Sequence, residues 1–246
     1  MPELRKDPII GRWVIISTER GKRPVDYEIP APAVSQGSCP FCYGHEHLTT
    51  PEILAVRPPD TAPNSPGWQL RVIANKYPAL RVEGELEKSG EGLYDKMSGI
   101  GAHEIIVEMP EHNRLLSDLD IPHIQNILSA YVSRMQDLKR DTRLKYLMIF
   151  KNQGYRAGAS LEHSHSQLIA TPIVPKTINE ELAGAQEYYN YKERCVFCDI
   201  VKQETEDRRR MVLENENFIS IAPFAARFPF ECWLLPKKHE SNFENI

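Results

Sequence analysis

The segment His163-Ser-His-Ser-Gln167 carries three side chains capable of chemistry at alternate positions. Residues two apart on a strand project from the same face, so both imidazoles and the amide would lie together, with Ser164 and Ser166 on the opposite face. Imidazoles and amides need polar partners when buried, so such a face makes a poor core but a suitable binding or catalytic surface. Taken alone, the pattern fits an ordinary surface strand equally well.

Two Cys-x-x-Cys pairs, Cys39/Cys42 and Cys195/Cys198, indicate metal binding. In a chain that lacks the features of a secreted protein, this spacing is typical of metal or redox sites, and neither pair has the strand-to-helix setting of a redox motif. Structural zinc takes four thiolate or imidazole ligands, so the first pair predicts a zinc site completed by two histidines of the first half. The candidates from the residues alone are His45, His47, His103, His112, His123, His163 and His165.

The spacing of apolar residues predicts the elements that position these groups. Residues 120–140 keep the three-and-four spacing of a helix with one buried stripe. A second helix is predicted to start at Thr177, where Thr-Ile-Asn-Glu180 has the spacing of a capping box. Residues 83–102 are predicted to form a long charged loop. Short apolar runs predict strands at residues 13–16, 70–74, 104–108 and 146–150, and residues 167–173 are predicted to be the end of the strand that carries His163 and His165.

The composition excludes several classes of partner. The 246 residues include 41% hydrophobic and 26% charged residues, which is typical of a globular protein with one large or two modest domains. A net charge of −4 with well-mixed signs argues against binding to duplex nucleic acid. No apolar run is long enough to span a membrane, and the N-terminal residues lack the apolar core of a signal peptide. We therefore expect a cytoplasmic protein that interacts with neither nucleic acid nor membrane.

The order of motifs and strands recurs weakly along the chain. Each half has a Cys-x-x-Cys pair, then two strands, then a proline followed closely by a histidine. The corresponding segments are 39–42, 70–74, 104–108 and 110–112, and then 195–198, 211–213, 218–222 and 236–239. The repetition predicts an α+β fold of two related halves, each an antiparallel sheet with packed helices. We place the first half at residues 1–176, and a linker helix with an incomplete second half at residues 177–246.

Several short motifs together resemble those of a known family. In chain order they are Arg20…Arg23-Pro24, Cys39-Pro-Phe-Cys42, Asn75-Lys-Tyr-Pro78, Pro110-Glu-His112, Phe150-Lys-Asn-Gln-Gly154 and His163-Ser-His-Ser-Gln167. Over essentially its whole length the chain resembles the galactose-1-phosphate uridylyltransferases of the histidine triad superfamily, which implies two histidine-triad-like halves. The His-Ser-His-Ser-Gln form resembles the branch that includes ADP-glucose phosphorylase, whereas better-known uridylyltransferases have His-Pro-His-Gly-Gln.

The resemblance implies a role for each motif. The implied ligands of a structural zinc ion are Cys39, Cys42, His112 and His163. His165 would be the nucleophile that attacks the α-phosphorus of a nucleotide sugar, and Gln167 would hold the α-phosphoryl oxygens. Positions that contact nucleotide or phosphate in the family are Arg20, Arg23, Asn75, Asn152 and Ser160. A second zinc site would use Cys195, Cys198 and His239, with a fourth ligand expected beyond residue 246.

The implied activity is ping-pong transfer of UMP between UDP-glucose and a hexose 1-phosphate, through a nucleotidyl-His165 intermediate in a homodimer. Three different functions stay open beside it. An ADP-glucose phosphorylase or related adenylyltransferase would use the same histidine on ADP-glucose. A zinc-stabilised nucleotide-binding protein would lack turnover, and a histidine triad hydrolase would release free nucleoside monophosphate without a sugar phosphate.

Overall fold

The computed structural model describes residues 3–16 and 39–246. The chain forms two compact units, one over Pro30–Val174 and one that combines Met1–Ile29 with Pro175–Ile246. The domain boundary at residue 176 stays a prediction; in the structure the chain leaves the larger unit at Val174, and the N-terminal strands belong to the smaller unit. Arg20 and Arg23, predicted to contact nucleotide or phosphate, lie outside the described residues.

The described part of the chain contains short strands and three α-helices. The strands are β1 (Glu3–Lys6), β2 (Trp13–Ile16), β3 (Glu52–Val56), β4 (Leu70–Ala74), β5 (Lys88–Glu91), β6 (Tyr94–Met97), β7 (Ala102–Val107), β8 (Tyr146–Phe150), β9 (His165–Thr171), β10 (Met211–Glu214), β11 (Phe218–Ile221) and β12 (Trp233–Pro236). The helices are α1 (Ile121–Leu138), α2 (Lys176–Lys192) and α3 (Val196–Asp207). Within these residues, no helix combines the length and the apolar character that crossing a membrane requires.

The larger unit is built on a five-stranded sheet in the order β3-β4-β7-β9-β8, with all neighbouring strands antiparallel. The central pair, β7 and β9, aligns Val107 with His165 and Ile105 with Gln167. Every residue of both strands is buried or half-buried, because the sheet is covered on both faces. The strand that carries the two predicted active residues therefore lies inside the sheet, where neighbours on both sides fix its register.

Helix α1 covers one face of this sheet. Asp120 caps its N-terminus by accepting a hydrogen bond from the backbone N–H of His123, at 3.0 Å. Its apolar stripe packs against alternate residues of the central strands, as the periodicity predicts. Arg134 on the helix makes two 2.8 Å hydrogen bonds to the buried Glu104 carboxylate on β7. The core on this face includes Leu70, Val72, Ile106, Ile127, Ala130, Met135, Leu138, Leu168 and Ala170.

The opposite face of the sheet is covered by the loop that contains the first cysteine pair. A second cluster of buried apolar residues, comprising Phe41, Trp68, Ile73, Ile105 and Val107, packs there. Ile105 and Val107 alternate with Ile106 along β7, so each face of the strand serves a different cluster. This arrangement sets the cysteine loop directly over the strands that carry the histidines.

The smaller unit combines a β1–β2 hairpin, the antiparallel sheet β10-β11-β12 and helices α2 and α3. Gly184 of α2 packs closely against the segment that joins β1 to β2. A Cβ atom at this position would lie 1.9 Å from the Ile9 carbonyl oxygen, so only glycine allows the approach. Arg210 forms a 2.8 Å ion pair with the buried Glu204, and this contact connects α3 to the strand that follows it.

The α+β class with antiparallel sheets and packed helices is confirmed, while several details differ from the sequence predictions. The loop predicted at residues 83–102 contains the hairpin β5–β6, and α3, β1 and β3 were not predicted. The prediction of a capping box at Thr177 is wrong. Helix α2 starts at Lys176, its N-cap is Pro175, and the cap position makes no side-chain hydrogen bond because proline has no polar side chain.

Candidate functional site

Two cysteines and two histidines of the larger unit come together beside the sheet. Cys39 and Cys42 lie in a tight turn, closed by a hydrogen bond from the Cys42 N–H to the Cys39 carbonyl at 3.3 Å. His112 follows the end of β7, and His163 lies two residues before β9 begins. The four side-chain ligand atoms all lie within 4.8 Å of one another. These are the four residues that the family resemblance implies as metal ligands.

The spacing of these ligand atoms fits a tetrahedral metal ion. Bonds of about 2.3 Å to sulfur and about 2.0 Å to nitrogen place tetrahedral ligand atoms about 3.5 Å apart. The Cys42 Sγ lies 3.4 Å from the His112 Nδ1 and 3.6 Å from the His163 Nδ1, and the Cys39 Sγ lies 3.8 Å from the His163 Nδ1. The Nε2–H of His163 donates to the Met109 carbonyl at 2.7 Å, which fixes the ring with Nδ1 toward the cluster.

Other histidines that the sequence left as candidate ligands make different contacts. The ring of His45 donates from Nδ1 to the Cys39 carbonyl at 2.7 Å, so it supports the cysteine turn from outside the cluster. The ring of His123 donates from Nε2 to the Glu108 carbonyl at 2.7 Å. His103 contacts Gln167, with 2.8 Å between Nε2 and Oε1. Among the described residues, the cluster therefore selects His112 and His163.

His165 is the first residue of β9 and is buried, and among the described residues only its Nδ1 has a hydrogen-bond partner. Its Nδ1–H donates to the His163 carbonyl at 2.8 Å, so the neutral ring has its free lone pair on Nε2. Burial lowers the pKa of His165, although the hydrogen bond to that carbonyl partly offsets the effect. The edge of the Phe41 ring packs against this imidazole, with 5.3 Å between ring centroids. The ring is thus held in one orientation and favours the neutral form.

A cavity of about 340 Å³ lies against His165 and Gln167. Its volume is in the range of small-molecule sites, and its lining mixes apolar and polar side chains in the usual way for such sites. Asn75 and Ser160, both predicted to contact substrate, line it as well. Asn152, also predicted, follows β8 and is half-buried, but it is not among the lining residues. The apolar part of the wall includes Phe41, Leu48, Ile73, Ile105 and Leu161.

The two serines of the His-Ser-His-Ser-Gln segment face away from the cavity and bind one buried carboxylate. Ser164 donates to Glu108 at 2.7 Å, and Ser166 donates to the other oxygen of the same carboxylate. Lys151 completes the group with its Nζ 2.5 Å from Glu108 and 2.6 Å from the Ser164 hydroxyl. Tyr131 of α1 donates to Ser166 at 2.6 Å. We call these five residues the Glu108 cluster.

The Glu108 cluster holds β9 from the side opposite the cavity. Glu108 is fully buried, and its charge is compensated by a lysine whose side chain is 18% exposed. Burial, followed by the nearby Glu108 carboxylate, raises the pKa of Tyr131, so its phenol remains protonated and can donate. Sequence analysis did not single out Glu108 or Lys151. The alternating Ser164 and Ser166 could have indicated a buried polar partner such as Glu108, because a hydroxyl on a buried strand face needs a hydrogen-bond partner.

In the smaller unit, Cys195, Cys198 and His239 form a second group of potential ligands. Cys195 is the N-cap of α3, Cys198 lies in its first turn, and the Cys198 Sγ is 3.1 Å from the His239 Nδ1. Within the residues that the structure describes, this group has three members. The predicted three ligands are therefore brought together, but no described residue supplies a fourth.

Comparison with known proteins gives consistent results. Residues 1–175 match the profile of a family described as galactose-1-phosphate uridyl transferase, N-terminal domain. The chain is 41% identical over 250 residues to an ADP-glucose phosphorylase from Arabidopsis thaliana, a match that covers 100% of this chain and 68% of the relative. It is 33% identical over 242 residues to a galactose-1-phosphate uridylyltransferase from Thermotoga maritima, covering 98% of this chain and 68% of the relative.

The fold agrees with a solved structure of the same kind. The crystal structure of an ADP-glucose phosphorylase from Arabidopsis thaliana with bound ADP-glucose matches with a TM-score of 0.80 and 40% sequence identity. The match covers 100% of this chain and 71% of that chain. At this identity the two chains are related in sequence as well as in fold.

Proposed function

The chain belongs to the galactose-1-phosphate uridyl transferase family, a family of nucleotidyltransferase enzymes, and from this premise we propose that His165 is its nucleophile. The observation that carries the proposal is the hydrogen bond from the His165 Nδ1–H to the His163 carbonyl. This bond leaves Nε2 with the free lone pair, on a residue that lines the cavity. A backbone carbonyl cannot take up the ring proton, so the tautomer is fixed before substrate arrives.

The proposed reaction has two displacement steps at one phosphorus atom. Nε2 of His165 attacks the α-phosphorus of a nucleotide sugar, an N–P bond forms, and the P–O bond to the β-phosphate breaks. Sugar 1-phosphate leaves with that electron pair. A phosphate oxygen of the acceptor then attacks the same phosphorus, the N–P bond breaks, and the imidazole is regenerated. Such a sequence gives ping-pong kinetics, and the chemistry depends mainly on positioning and charge stabilisation.

The remaining cavity residues have proposed roles in binding. Gln167 would donate to the α-phosphoryl oxygens, and Ser160 and Asn75 would contact phosphate or ribose. Hydrogen-bond donors at the position where charge develops contribute strongly to such transfers. The apolar side chains of the cavity wall would pack against the base and the ribose. Asn152, Arg20 and Arg23 stay predictions as further contacts.

We propose zinc as the ion at Cys39, Cys42, His112 and His163. Two thiolates and two imidazoles are a typical donor set for structural zinc, and four protein ligands leave no position for a reacting water. The ion would hold His163 in place, and His163 in turn supplies the carbonyl that orients His165. Cys195, Cys198 and His239 are proposed as part of a second zinc site. We also propose a cytoplasmic location, because thiolate ligands of this kind are stable in a reducing compartment. A homodimer is proposed from the family resemblance.

The relatives support two nucleotide specificities. UDP-glucose with a hexose 1-phosphate as acceptor is supported by the uridylyltransferase from Thermotoga maritima at 33% identity. ADP-glucose, with inorganic phosphate as the acceptor that the word phosphorylase denotes, is supported by the Arabidopsis relative at 41% identity. The TM-score of 0.80 to the structure with bound ADP-glucose favours testing ADP-glucose first.

Intact-mass spectrometry distinguishes the two specificities, and it also distinguishes a transferase from a non-catalytic binding protein and from a hydrolase. Protein incubated with either nucleotide sugar and no acceptor should gain the mass of one nucleoside monophosphate, AMP or UMP according to its specificity. His165→Ala should gain nothing, whereas His47→Ala, which changes an exposed histidine, should react as wild type does. Binding of both nucleotide sugars without any adduct would favour a non-catalytic protein. Rapid release of free nucleoside monophosphate without an acceptor would favour a hydrolase.

A further inference from the structure

The polarity of the two amide side chains beside His165 decides what the cavity can bind. Gln167 and Asn75 both line it, and a side-chain amide can present either its oxygen or its NH2 group. An anionic phosphoryl group requires the NH2 group. The orientation must therefore be fixed by partners whose donor or acceptor role is unambiguous, and backbone N–H groups meet that condition.

The backbone N–H of Ala79 fixes the proton on His103. This N–H lies 3.1 Å from the His103 Nδ1, and because a backbone amide can only donate, Nδ1 must accept. The ring proton is then on Nε2. The His103 Nε2 lies 2.8 Å from the Gln167 Oε1, so Nε2–H donates to that oxygen. With its oxygen engaged, Gln167 has its NH2 group left for the cavity.

The backbone N–H of Tyr77 fixes Asn75 in the same way. It donates to the Asn75 Oδ1 at 2.9 Å. The Asn75 Nδ2 lies 3.1 Å from the His103 Nε2, but both groups are donors under this assignment, so the contact is not a hydrogen bond. The Nε2–H proton consequently goes to Gln167. The Asn75 Nδ2 also lies 3.5 Å from the His103 Nδ1, but the lone pair of that nitrogen already accepts from the nearer Ala79 N–H, so the Asn75 NH2 group is available to a ligand.

We infer that His103 is a positioning residue for nucleotidyl transfer. The Ala79 N–H holds the His103 proton on Nε2, and this Nε2–H in turn holds the oxygen of the Gln167 amide. Together with the Tyr77 N–H, His103 turns both amides so that each has its NH2 group, a hydrogen-bond donor, available to the cavity. The inference rests on the proposed function, because two amide donors beside His165 are useful where phosphoryl oxygens must be held. His103 lies on β7, two residues from Ile105, which pairs with Gln167 across the sheet. Its side chain therefore shares the face of Gln167, and both residues are held by the same strand pair.

The experiment compares two His103 variants with and without Gln167. His103→Leu removes the donor, whereas His103→Gln keeps an NH2 group near the position of Nε2. The readout is the rate of nucleotidyl-enzyme formation with whichever nucleotide sugar labels the wild type. We expect His103→Leu to slow adduct formation about 10- to 100-fold, with His103→Gln recovering most of the rate. In a Gln167→Ala background, His103→Leu should cause no further loss, because its effect passes through the missing amide.

Losses that multiply in the double variant would overturn the inference, since they would mean that His103 acts independently of Gln167. Equal rates for His103→Leu and the wild type would overturn it as well. Metal content and thermal unfolding of each variant identify any general damage to the fold. If the wild type forms no adduct with either nucleotide sugar, the proposed function fails, and the positioning assignment is then tested without substrate.

The substrate-free test is the tautomer of His103. Long-range proton–nitrogen NMR correlations distinguish Nε2–H from Nδ1–H rings, and the His103 signals are assigned by their disappearance in His103→Leu. We expect the Nε2–H tautomer in the free protein. The Nδ1–H tautomer would overturn the inference whatever the enzyme assay shows, because the Ala79 N–H would then face a second donor.

Discussion

Replacing Glu108, the buried carboxylate that binds Ser164 and Ser166, should both destabilise the larger unit and lower the rate of adduct formation at His165. Glu108→Gln keeps the shape of the side chain but removes its charge. The amide replaces one acceptor oxygen with an NH2 group opposite serine hydroxyls that donate in the native protein. Lys151 loses the counter-charge that lies 2.5 Å from its Nζ. The substitution therefore breaks one ion pair and weakens two hydrogen bonds without opening a cavity.

The magnitude follows from the burial of the two charges. Removing one member of a buried ion pair costs about 3–5 kcal/mol, because the other charge loses its partner. Glu108 is fully buried but the Lys151 side chain is 18% exposed, so water compensates part of the loss. We therefore expect a decrease in unfolding free energy of about 3 kcal/mol, at the low end of that range. The double variant Glu108→Gln/Lys151→Met removes both charges, and its loss should shrink to about 1 kcal/mol.

Urea unfolding of a single-tryptophan protein measures this change in the larger unit. Trp68 is fully buried there, whereas Trp13 and Trp233 lie in the smaller unit, so Trp13→Phe and Trp233→Phe leave one local reporter. The metal is kept saturating, because its loss would mask the ion pair. The rate of adduct formation is measured on the same variants and should fall with Glu108→Gln. A double variant whose loss equals the sum of the two single losses would refute the reasoning, as would an unchanged unfolding free energy in Glu108→Gln.

Three further predictions address the site and the fold. Gln167→Ala should slow adduct formation about 10²- to 10³-fold in stopped reactions while the bound metal is retained, and an unchanged rate would remove Gln167 from the mechanism. Cys42→Ser should lower the metal-to-protein ratio measured by plasma mass spectrometry, whereas the exposed Cys232→Ser should not; equal ratios would exclude Cys42 as a ligand. Gly184→Ala should destabilise the smaller unit by about 1–3 kcal/mol in urea, because its Cβ would meet the Ile9 carbonyl; normal stability would contradict that packing.

The parts of the fold that bury a regular apolar pattern could be predicted from the sequence. Helix α1, with its apolar stripe, and strands β4 and β8 lie where the pattern predicted them. The hairpin β5–β6 was missed because all of its residues are exposed, so no alternation marks it. Helix α3 buries only Val196 and Glu204 among its residues, and one of these is charged, so its buried side did not stand out as an apolar stripe.

Only those residues of the candidate site whose type and spacing already indicate a chemical role could be predicted from the sequence. Cysteine pairs and histidines indicate a metal cluster through their spacing, and the structure brings together the four residues that the resemblance implied. The roles of His103 and Glu108 depend on which strand faces which loop. A glutamate at the end of an apolar strand is typical of a surface position until the serines of the neighbouring strand are known to face it. Such partners arise from strand pairing, which a single sequence does not reveal.

The position of the covalent adduct tests the central claim most directly. His163 and His165 are separated by one residue, yet we assign one to the metal and the other to the substrate. Protein labelled by its nucleotide sugar can be digested, and the labelled peptide fragmented under conditions that preserve the N–P bond. We predict that the nucleoside monophosphate is attached to His165 alone, with metal still bound in the labelled protein. Attachment to His163, or to a residue outside this segment, would contradict that assignment.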